Sequence, residues 1–352
     1  MIISRSPFRI SFFGGGTDYP GWYREHGGAV LSTTIDKYCY LTTRYLPPFF
    51  EHRFRVVYSR MENTSRIEDI QHPAVRGVLG HLNWTRGLEI HHDADLPARS
   101  GMGSSSAFTV GLLHALHALR GELRGKAQLL REALHVEQNV LQEVVGSQDQ
   151  AATAYGGLNV FEFLPDGEVL ARPLLLSPER THALESRLML FYSGIKRTAA
   201  DVAGSFVPTL AQKARQLRRF REMVDEGAAL LGGDGPIDDV GALLDEAWRL
   251  KRELSPLVSN DDVDEMYRAA RGAGALGGKL LGAGGGGFVL IFAPPGRREA
   301  VRAALGHYIH VPFRFERSGS QIIFYDPEQE YHEAEAEREA GPPRAFRELG
   351  KG

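Results

Sequence analysis

Cysteine is almost absent from this chain. With Cys39 alone among 352 residues, neither an intrachain disulfide nor a cysteine-built metal site can form. Its neighbours Tyr38, Tyr40 and Leu41 assign it to a core strand, as packing rather than chemistry. Long apolar runs are missing too. Nothing reaches the roughly 20 residues that cross a bilayer, and the first residues lack the apolar stretch and small-residue cleavage site of a secretory signal. The expectation is a cytoplasmic protein with no membrane partner. Neither charge is in excess: 41 Lys and Arg against 44 Asp and Glu leave a formal net charge of −3. Such a balance offers no electrostatic footprint for nucleic acid. Internal repeats are absent, and so is regular alternation of strands with helices.

What remains is an ordinary globular composition, 43% hydrophobic and 24% charged, in a length that favours about two domains. Mixed strands and helices predict an α+β fold rather than a doubly wound sheet. The first domain is expected at 1–176, with strands at Ile2–Ser4 and Phe8–Phe13 separated by Pro7. Ala29–Tyr45 reads as two strands and a bend. Helices are expected next at Ser105–Leu119 and Lys126–Val144. The polar stretch Ser177–His182 marks a boundary. The second domain, 183–326, opens on the strand Leu188–Tyr192 and continues through helices at Thr198–Leu231 (interrupted near Pro208), Asp238–Leu254 and Asp261–Gly272. Phe288–Phe292 and Gln321–Tyr325 read as strands around a helix at Arg297–His307. The tail 327–352 is highly charged and poor in apolar residues, a composition that stays solvated.

Glycine is plentiful, 40 residues, and it is clustered. The first cluster is Phe13-Gly14-Gly15-Gly16-Thr17-Asp18-Tyr19, just after Arg9. The second is Ser100-Gly101-Met102-Gly103-Ser104-Ser105-Ser106, running straight into an apolar helix. Glycine lets backbone approach a ligand, hydroxyls cap a helix start, and the unpaired N–H groups of a first turn attract anions. The third is Gly282-Ala283-Gly284-Gly285-Gly286-Gly287. Two matches to the dinucleotide fingerprint, at Gly272/Gly274/Gly277 and Gly282/Gly284/Gly287, fail on context. The second leads into a strand, whereas the fingerprint requires a helix. Gly278-Lys279 has Leu280 where a P-loop needs Ser or Thr. The pairs His91/His92 and His114/His117 lack a third ligand at metal-binding spacing.

Three glycine-rich elements in this order, across residues 1–325, resemble the GHMP kinases, small-molecule kinases named after galactose, homoserine, mevalonate and phosphomevalonate. The resemblance implies a two-domain fold with a mixed-sheet N-terminal domain and a ferredoxin-like C-terminal domain. It also implies ATP and Mg²⁺ as cofactors. Gly101, Met102, Gly103, Ser104, Ser105 and Ser106 would cradle the ATP phosphates. Ser105 and Glu137 would hold Mg²⁺, which favours hard oxygens and keeps water; Glu143 competes for the carboxylate role. Asp149, in Gly146-Ser147-Gln148-Asp149-Gln150, matches the family's catalytic aspartate, with Arg9 as the basic residue beside it. Gly284, Gly285 and Gly286 match the loop that approaches the site from the second domain. All these groups being present favours an enzyme over a non-catalytic sugar and nucleotide sensor.

The substrate is read from the first cluster. Galactokinases carry Glu and His where this chain has Gly15 and Gly16, which argues against galactose. Gly15, Gly16, Thr17 and Asp18 would meet a sugar, Asp18 accepting from its hydroxyls. Together with Thr34-Ile35-Asp36-Lys37-Tyr38, Gln148-Asp149-Gln150 and Phe191-Tyr192-Ser193-Gly194-Ile195, the pattern is similar to heptose 7-phosphate kinases, with fucokinase-type domains as neighbours. That resemblance implies phosphorylation of an anomeric hydroxyl. Lys196 and Arg197, ahead of a helix, would receive the sugar's own phosphate, with Lys37 and Arg99 as alternatives.

Overall fold

The computed structural model describes residues 1–195, 199–326 and 331–340. Two sheets organise the chain. The larger has nine strands: β1 (Ile2–Phe13), β2 (Gly28–Tyr45), β3 (Phe54–Val57), β4 (Met61–Thr64), β5 (Leu88–Ala94), β6 (Asn159–Phe163), β7 (Val169–Pro173) and two more that return from the far end of the chain. The smaller has four, β8 (Leu188–Tyr192), β9 (Gly277–Leu280), β10 (Phe288–Phe292) and β11 (Ile309–Val311), in the order β11-β8-β10-β9 with every neighbouring pair antiparallel. With helices crossing between β8 and β9 and between β10 and β11, this is the expected ferredoxin-like arrangement. The last strands, β12 (Phe315–Glu316) and β13 (Gln321–Tyr325), pair with β2 and β1. Residues 315–325, read with the second domain from sequence, therefore complete the first sheet.

Pro7 does not break β1. Opposite it, Pro7 pairs with Tyr38 and Phe8 with Ile35, so Asp36 and Lys37 bulge out of β2. A bulge is where a strand tolerates a residue with no N–H. The bend expected within Ala29–Tyr45 is this bulge, and β2 is one strand of 18 residues. Cys39 lies within it, 1% exposed.

Six helices position the site: α1 (Ser104–Leu119), α2 (Lys126–His135), α3 (Gln148–Tyr155), α4 (Ala214–Gly232), α5 (Asp239–Arg252) and α6 (Asp261–Gly272). The helix expected over Lys126–Val144 stops at His135, and Val136–Val140 forms a π-turn. The interruption expected near Pro208 takes the form of a 3₁₀ segment, Val207–Lys213, ahead of α4. Helices that escaped the sequence reading include Pro73–His81, and Pro178–Glu185, where Ser177 accepts from the Arg180 N–H as an N-cap. In the tail, His332–Ala340 is helical.

Helix α1 is buried almost throughout and packs across β1 and β2. Gly111 permits the close approach. A Cβ there would stand 2.9 Å from Ser6 Oγ and 3.2 Å from Leu41 Cδ1, while Ser4 Oγ donates to the Gly111 carbonyl at 2.9 Å. Gly111→Val forces helix and sheet apart and is expected to cost about 1–3 kcal/mol, read as a lower midpoint in urea unfolding with unchanged slope.

Candidate active site

Arg9 extends from β1 into the junction of α1 and α3. Its Nε donates to Asp149 Oδ1 at 2.7 Å and its Nη2 to Asp149 Oδ2 at 2.9 Å, a two-pronged ion pair. Its third arm, Nη1, donates to the Gly101 carbonyl at 2.7 Å. The guanidinium is 3% exposed and the carboxylate 26%, so the solvent-facing member of the pair is the carboxylate. A Cβ at Gly103 would lie 3.3 Å from Asp149 Oδ2. Asp149 therefore sits against the start of α1. There Gly103, at φ +77°, turns the chain into the helix and no side chain caps it. The first-turn N–H groups at Ser104–Ser106 are thus available to an anion.

Asp149 has a glutamine on each side, and the three successive side chains diverge around the helix start. Gln148 Nε2 donates to Asp18 Oδ2 at 3.0 Å. Gln150 Nε2 donates to Glu137 Oε2 at 2.5 Å. Both amides were visible in the sequence as part of Gln148-Asp149-Gln150. Their adjacency to the aspartate was the signal for a role, and none was assigned from sequence.

Glu137 is fully buried on the π-turn after α2. Ser106 Oγ also donates to its Oε2, at 3.0 Å. Burial pushes its carboxyl up to about 7, partly offset by the Gln150 hydrogen bond. Glu143 is also raised by burial, and its N–H donates to the Glu137 carbonyl. Glu137 Oε1 has no partner among the described residues. An enclosed carboxylate oxygen without a hydrogen bond, in a carboxyl that the Thr109 hydroxyl also favours in its charged form, suits a hard cation. With the hydroxyls of Ser106 and of the exposed Ser105 nearby in sequence, the donor set fits Mg²⁺, which takes few protein ligands. The sequence reading paired Ser105 with Glu137; the structure puts Ser106 in direct contact.

In the first glycine cluster, Thr17 and Asp18 are buried. Thr17 Oγ1 donates within the loop, lying 2.8 Å from the Gly14 carbonyl and 2.9 Å from that of Ala29. Asp18 accepts from the N–H groups of Gly16, at 2.9 Å, and Gln148. Burial raises its carboxyl, against the Gly16 hydrogen bond. In this structure Asp18 holds the loop to α3. Gly15 and Gly16 line the loop above it, Gly16 under Leu217 of α4.

The third glycine cluster is the β9–β10 connection. Its ends, rather than its middle, meet the Ser/Gly loop. A Cβ at Gly282 would stand 2.6 Å from Gly101 Cα, and Phe288 N–H donates to the Ser100 carbonyl at 3.1 Å. Gly284 lies against Val258 and Gly286 against Ile195, and Gly285 N–H donates to the Val258 carbonyl. Beneath lie two lysines the sequence reading missed. Lys279 Nζ donates to the Phe12 carbonyl at 2.9 Å, and burial, with Arg9 nearby, pushes it down to about 7. Lys251 Nζ donates to the carbonyls of Leu280 and Gly282 at 2.8 and 2.5 Å, its ammonium lowered by burial. A lone lysine inside the run Gly277-Gly278-Lys279-Leu280-Leu281 was the available signal; Lys251 looks like any cation in a last helical turn. Lys196 and Arg197 lie outside the described residues. Of their alternatives, Lys37 pairs with Asp36 at 3.0 Å in the bulge, and Arg99 is exposed.

Residues 70–157 match the family GHMP kinases N terminal domain, and residues 213–310 match GHMP kinases C terminal. A curated relative, D-glycero-alpha-D-manno-heptose 7-phosphate kinase of Campylobacter jejuni, is 28% identical over 86% of this chain and 93% of its own length. The bifunctional fucokinase/GDP-fucose pyrophosphorylase of Arabidopsis thaliana is 30% identical over 82% of this chain, which spans 29% of that larger protein. Among solved structures, a D-glycero-D-manno-heptose 1-phosphate kinase from Bacteroides thetaiotaomicron superposes with a TM-score of 0.74 at 26% identity, covering 92% of this chain and 99% of that one. Among the described residues no helix is long and apolar enough to cross a membrane.

The raised Glu137 sets a sign for stability. A carboxyl raised in the folded state contributes fully below its unfolded value near 4.5, and that contribution falls away as pH rises through about 7. In chelator, Glu137→Gln is expected to match wild type near pH 4.5 and exceed it at pH 8, by as much as about 3 kcal/mol. Urea unfolding at the two pH values checks it; equal differences at both would remove the buried charge from the account.

Proposed function

Because the chain belongs to the GHMP kinases, phosphotransferases with an alcohol group as acceptor, we propose that it phosphorylates a sugar, namely the anomeric hydroxyl of a heptose 7-phosphate. The observation that carries the reading is the Arg9–Asp149 pair set against the uncapped start of α1. It brings a base, a fixed cation and a phosphate seat to one point, which is most of what phosphoryl transfer asks of a protein.

Asp149 orients the acceptor hydroxyl and accepts its proton as the oxygen bonds to the γ-phosphorus of ATP. The bond to the bridging oxygen breaks and ADP leaves. Arg9 prevents the carboxylate from rotating, since both its oxygens are held, while each keeps a lone pair for the substrate. Ser104–Ser106 donate N–H groups to the phosphates. Glu137, Ser105 and Ser106 would hold Mg²⁺, which supplies charge neutralisation to the phosphates when bound.

The choice of a heptose phosphate rests on the Campylobacter relative and on the glycine cluster without Glu or His. The names of the two heptose kinases differ in the position of the phosphate, 7 in one and 1 in the other, so the acceptor position is for experiment. The fucokinase similarity supports a second reading, a free-sugar 1-kinase. The first reading yields a heptose 1,7-bisphosphate and the second a sugar 1-phosphate, both carrying the anomeric phosphate that nucleotide activation needs.

ADP release with Mg-ATP is to be measured on heptose 7-phosphate, heptose 1-phosphate, mannose 6-phosphate, fucose and galactose. Turnover confined to heptose 7-phosphate supports the proposal; turnover on a free sugar alone supports the second reading. Asp149→Asn is expected to lower kcat about 10²-fold or more with ATP binding nearly intact. Wild-type turnover in that variant removes Asp149 from the mechanism.

A further inference from the structure

Three cations converge under the Ser/Gly loop, and only one of them has a carboxylate. Arg9 is paired with Asp149. Lys279, on β9 and 6% exposed, donates from Nζ to the Phe12 carbonyl. Lys251, half-buried in the last turn of α5, donates to the carbonyls of Leu280 and Gly282. Among the described residues neither lysine forms an ion pair. Their surroundings belong to the seam at the phosphate seat. Gly282 lies against Gly101, whose own carbonyl takes the third arm of Arg9.

The groups that bear on Lys279 come from four elements. Arg9, on β1, lowers both lysines, and the two lysines oppose each other's charge across α5 and β9. β10 sets the apolar Leu290 opposite Lys279. The first glycine loop contributes Asp18, an anion that favours the charged form. Asp149, the other carboxylate here, is already taken by Arg9.

A count of hydrogens shows what this cluster lacks. A neutral amine carries two N–H groups, an ammonium three. Two carbonyls satisfy Lys251 as an amine. Lys279, with one carbonyl, leaves two hydrogens over when charged. Burial and Arg9 hold it down to about 7, so near neutrality it is divided between its two forms. An enclosed charge without a counter-ion is disfavoured. A polyphosphate in the seat supplies the absent anion, and through an interior of low dielectric it acts on Lys279 without touching it.

We propose that Lys279 gains a proton from solvent as a nucleotide polyphosphate fills the seat, Lys251 and Arg9 being the like charges that the ligand offsets. The Lys279 bond to the Phe12 carbonyl is then charge-assisted and stronger, which ties the second sheet to the end of β1 once nucleotide is in place. Lys279 is a positioning residue, acting through its field and through the backbone of β1. The inference rests on the kinase reading, which puts ATP in this seat.

Titration calorimetry of the whole chain with ATP, in chelator so that no magnesium takes part, tests it. Above about pH 7.5 the ATP phosphates are fully ionised and the ligand itself does not titrate. From there to about pH 9 the affinity is expected to fall by up to about tenfold per pH unit, the sign of a group that holds its proton more tightly in the complex. Binding heats in buffers of different ionisation enthalpy are expected to show about one proton taken up. Lys279→Met cannot take that proton, and Lys279→Arg never loses it. Both are expected to bind ATP with little pH dependence and no uptake, the Arg variant keeping its affinity at the alkaline end. A merely structural lysine would shift Kd equally at every pH and leave the uptake in place. Wild-type binding without proton uptake overturns the inference, and so does uptake that survives in both variants. No ATP binding at any pH overturns the kinase reading, and the inference with it.

Discussion

Everything at the site is referred to the two-pronged contact between Arg9 and Asp149. It joins a strand to the first turn of α3 and, through the Gly101 carbonyl, to the Ser/Gly loop. Burying a guanidinium is expensive, and breaking such a pair strands a charge. The pair therefore contributes geometry more than stability. With Asp149 fixed, its neighbours on the helix are fixed too. Gln148 reaches the first glycine loop at Asp18, and Gln150 reaches Glu137. Three consecutive side chains, splayed by the helical turn, hold the first glycine loop, Arg9 and the buried Glu137 in one register.

The glycine clusters serve the same end by another route. The β9–β10 connection meets the Ser/Gly loop backbone against backbone, at Gly282 and Gly101 and again at Gly287 and Ser100. A Cβ on any of these glycines would overlap the facing backbone, so the halves meet here only because the glycines carry no side chain. Lys279 adds one directional bond, to the Phe12 carbonyl at the end of β1. Its enclosed ammonium favours the neutral form, and Asp18 nearby is the anion that opposes this. The first glycine loop is thus tied to α3, and the strand that leads into it to the second sheet.

Much of this was legible in the sequence, and unevenly so. The order of the glycine clusters identified the fold because each cluster marks a backbone contact, a local property that residue type reports directly. Arg9, Asp149 and Glu137 were grouped through resemblance rather than spacing, and the structure brings Arg9 against Asp149 across 140 positions and Glu137 against Gln150. Propensity misread Pro7 as a break because the bulge that accommodates it lies in β2, on the partner strand. The periodicity over Lys126–Val144 concealed the π-turn, since a single inserted residue barely disturbs an apolar stripe while rotating the residues beyond it. β9 was missed because Gly277-Gly278-Lys279-Leu280 has the composition of a loop and becomes a strand only by pairing with β10. Asp18 was read as a sugar contact; that it is buried and accepts from the Gln148 amide depends on a partner 130 residues away, which no local pattern reports.

The π-turn at Glu137 has a consequence for how ligands and stability are linked. A wider turn lets position 137 face inward between Ser106 and Gln150, where an α-helix would have continued its ordinary stripe. The residue it delivers is a carboxyl whose ionisation is resisted by burial and whose Oε1 has no hydrogen-bond partner among the described residues. Near neutrality such a group is divided between its two forms. A cation held there, as the proposed function has it, would select the ionised form and so release a proton on binding. The same step removes the cost of the unpaired oxygen. On the proposed function, folding, proton release and cation binding would therefore be linked at this one residue.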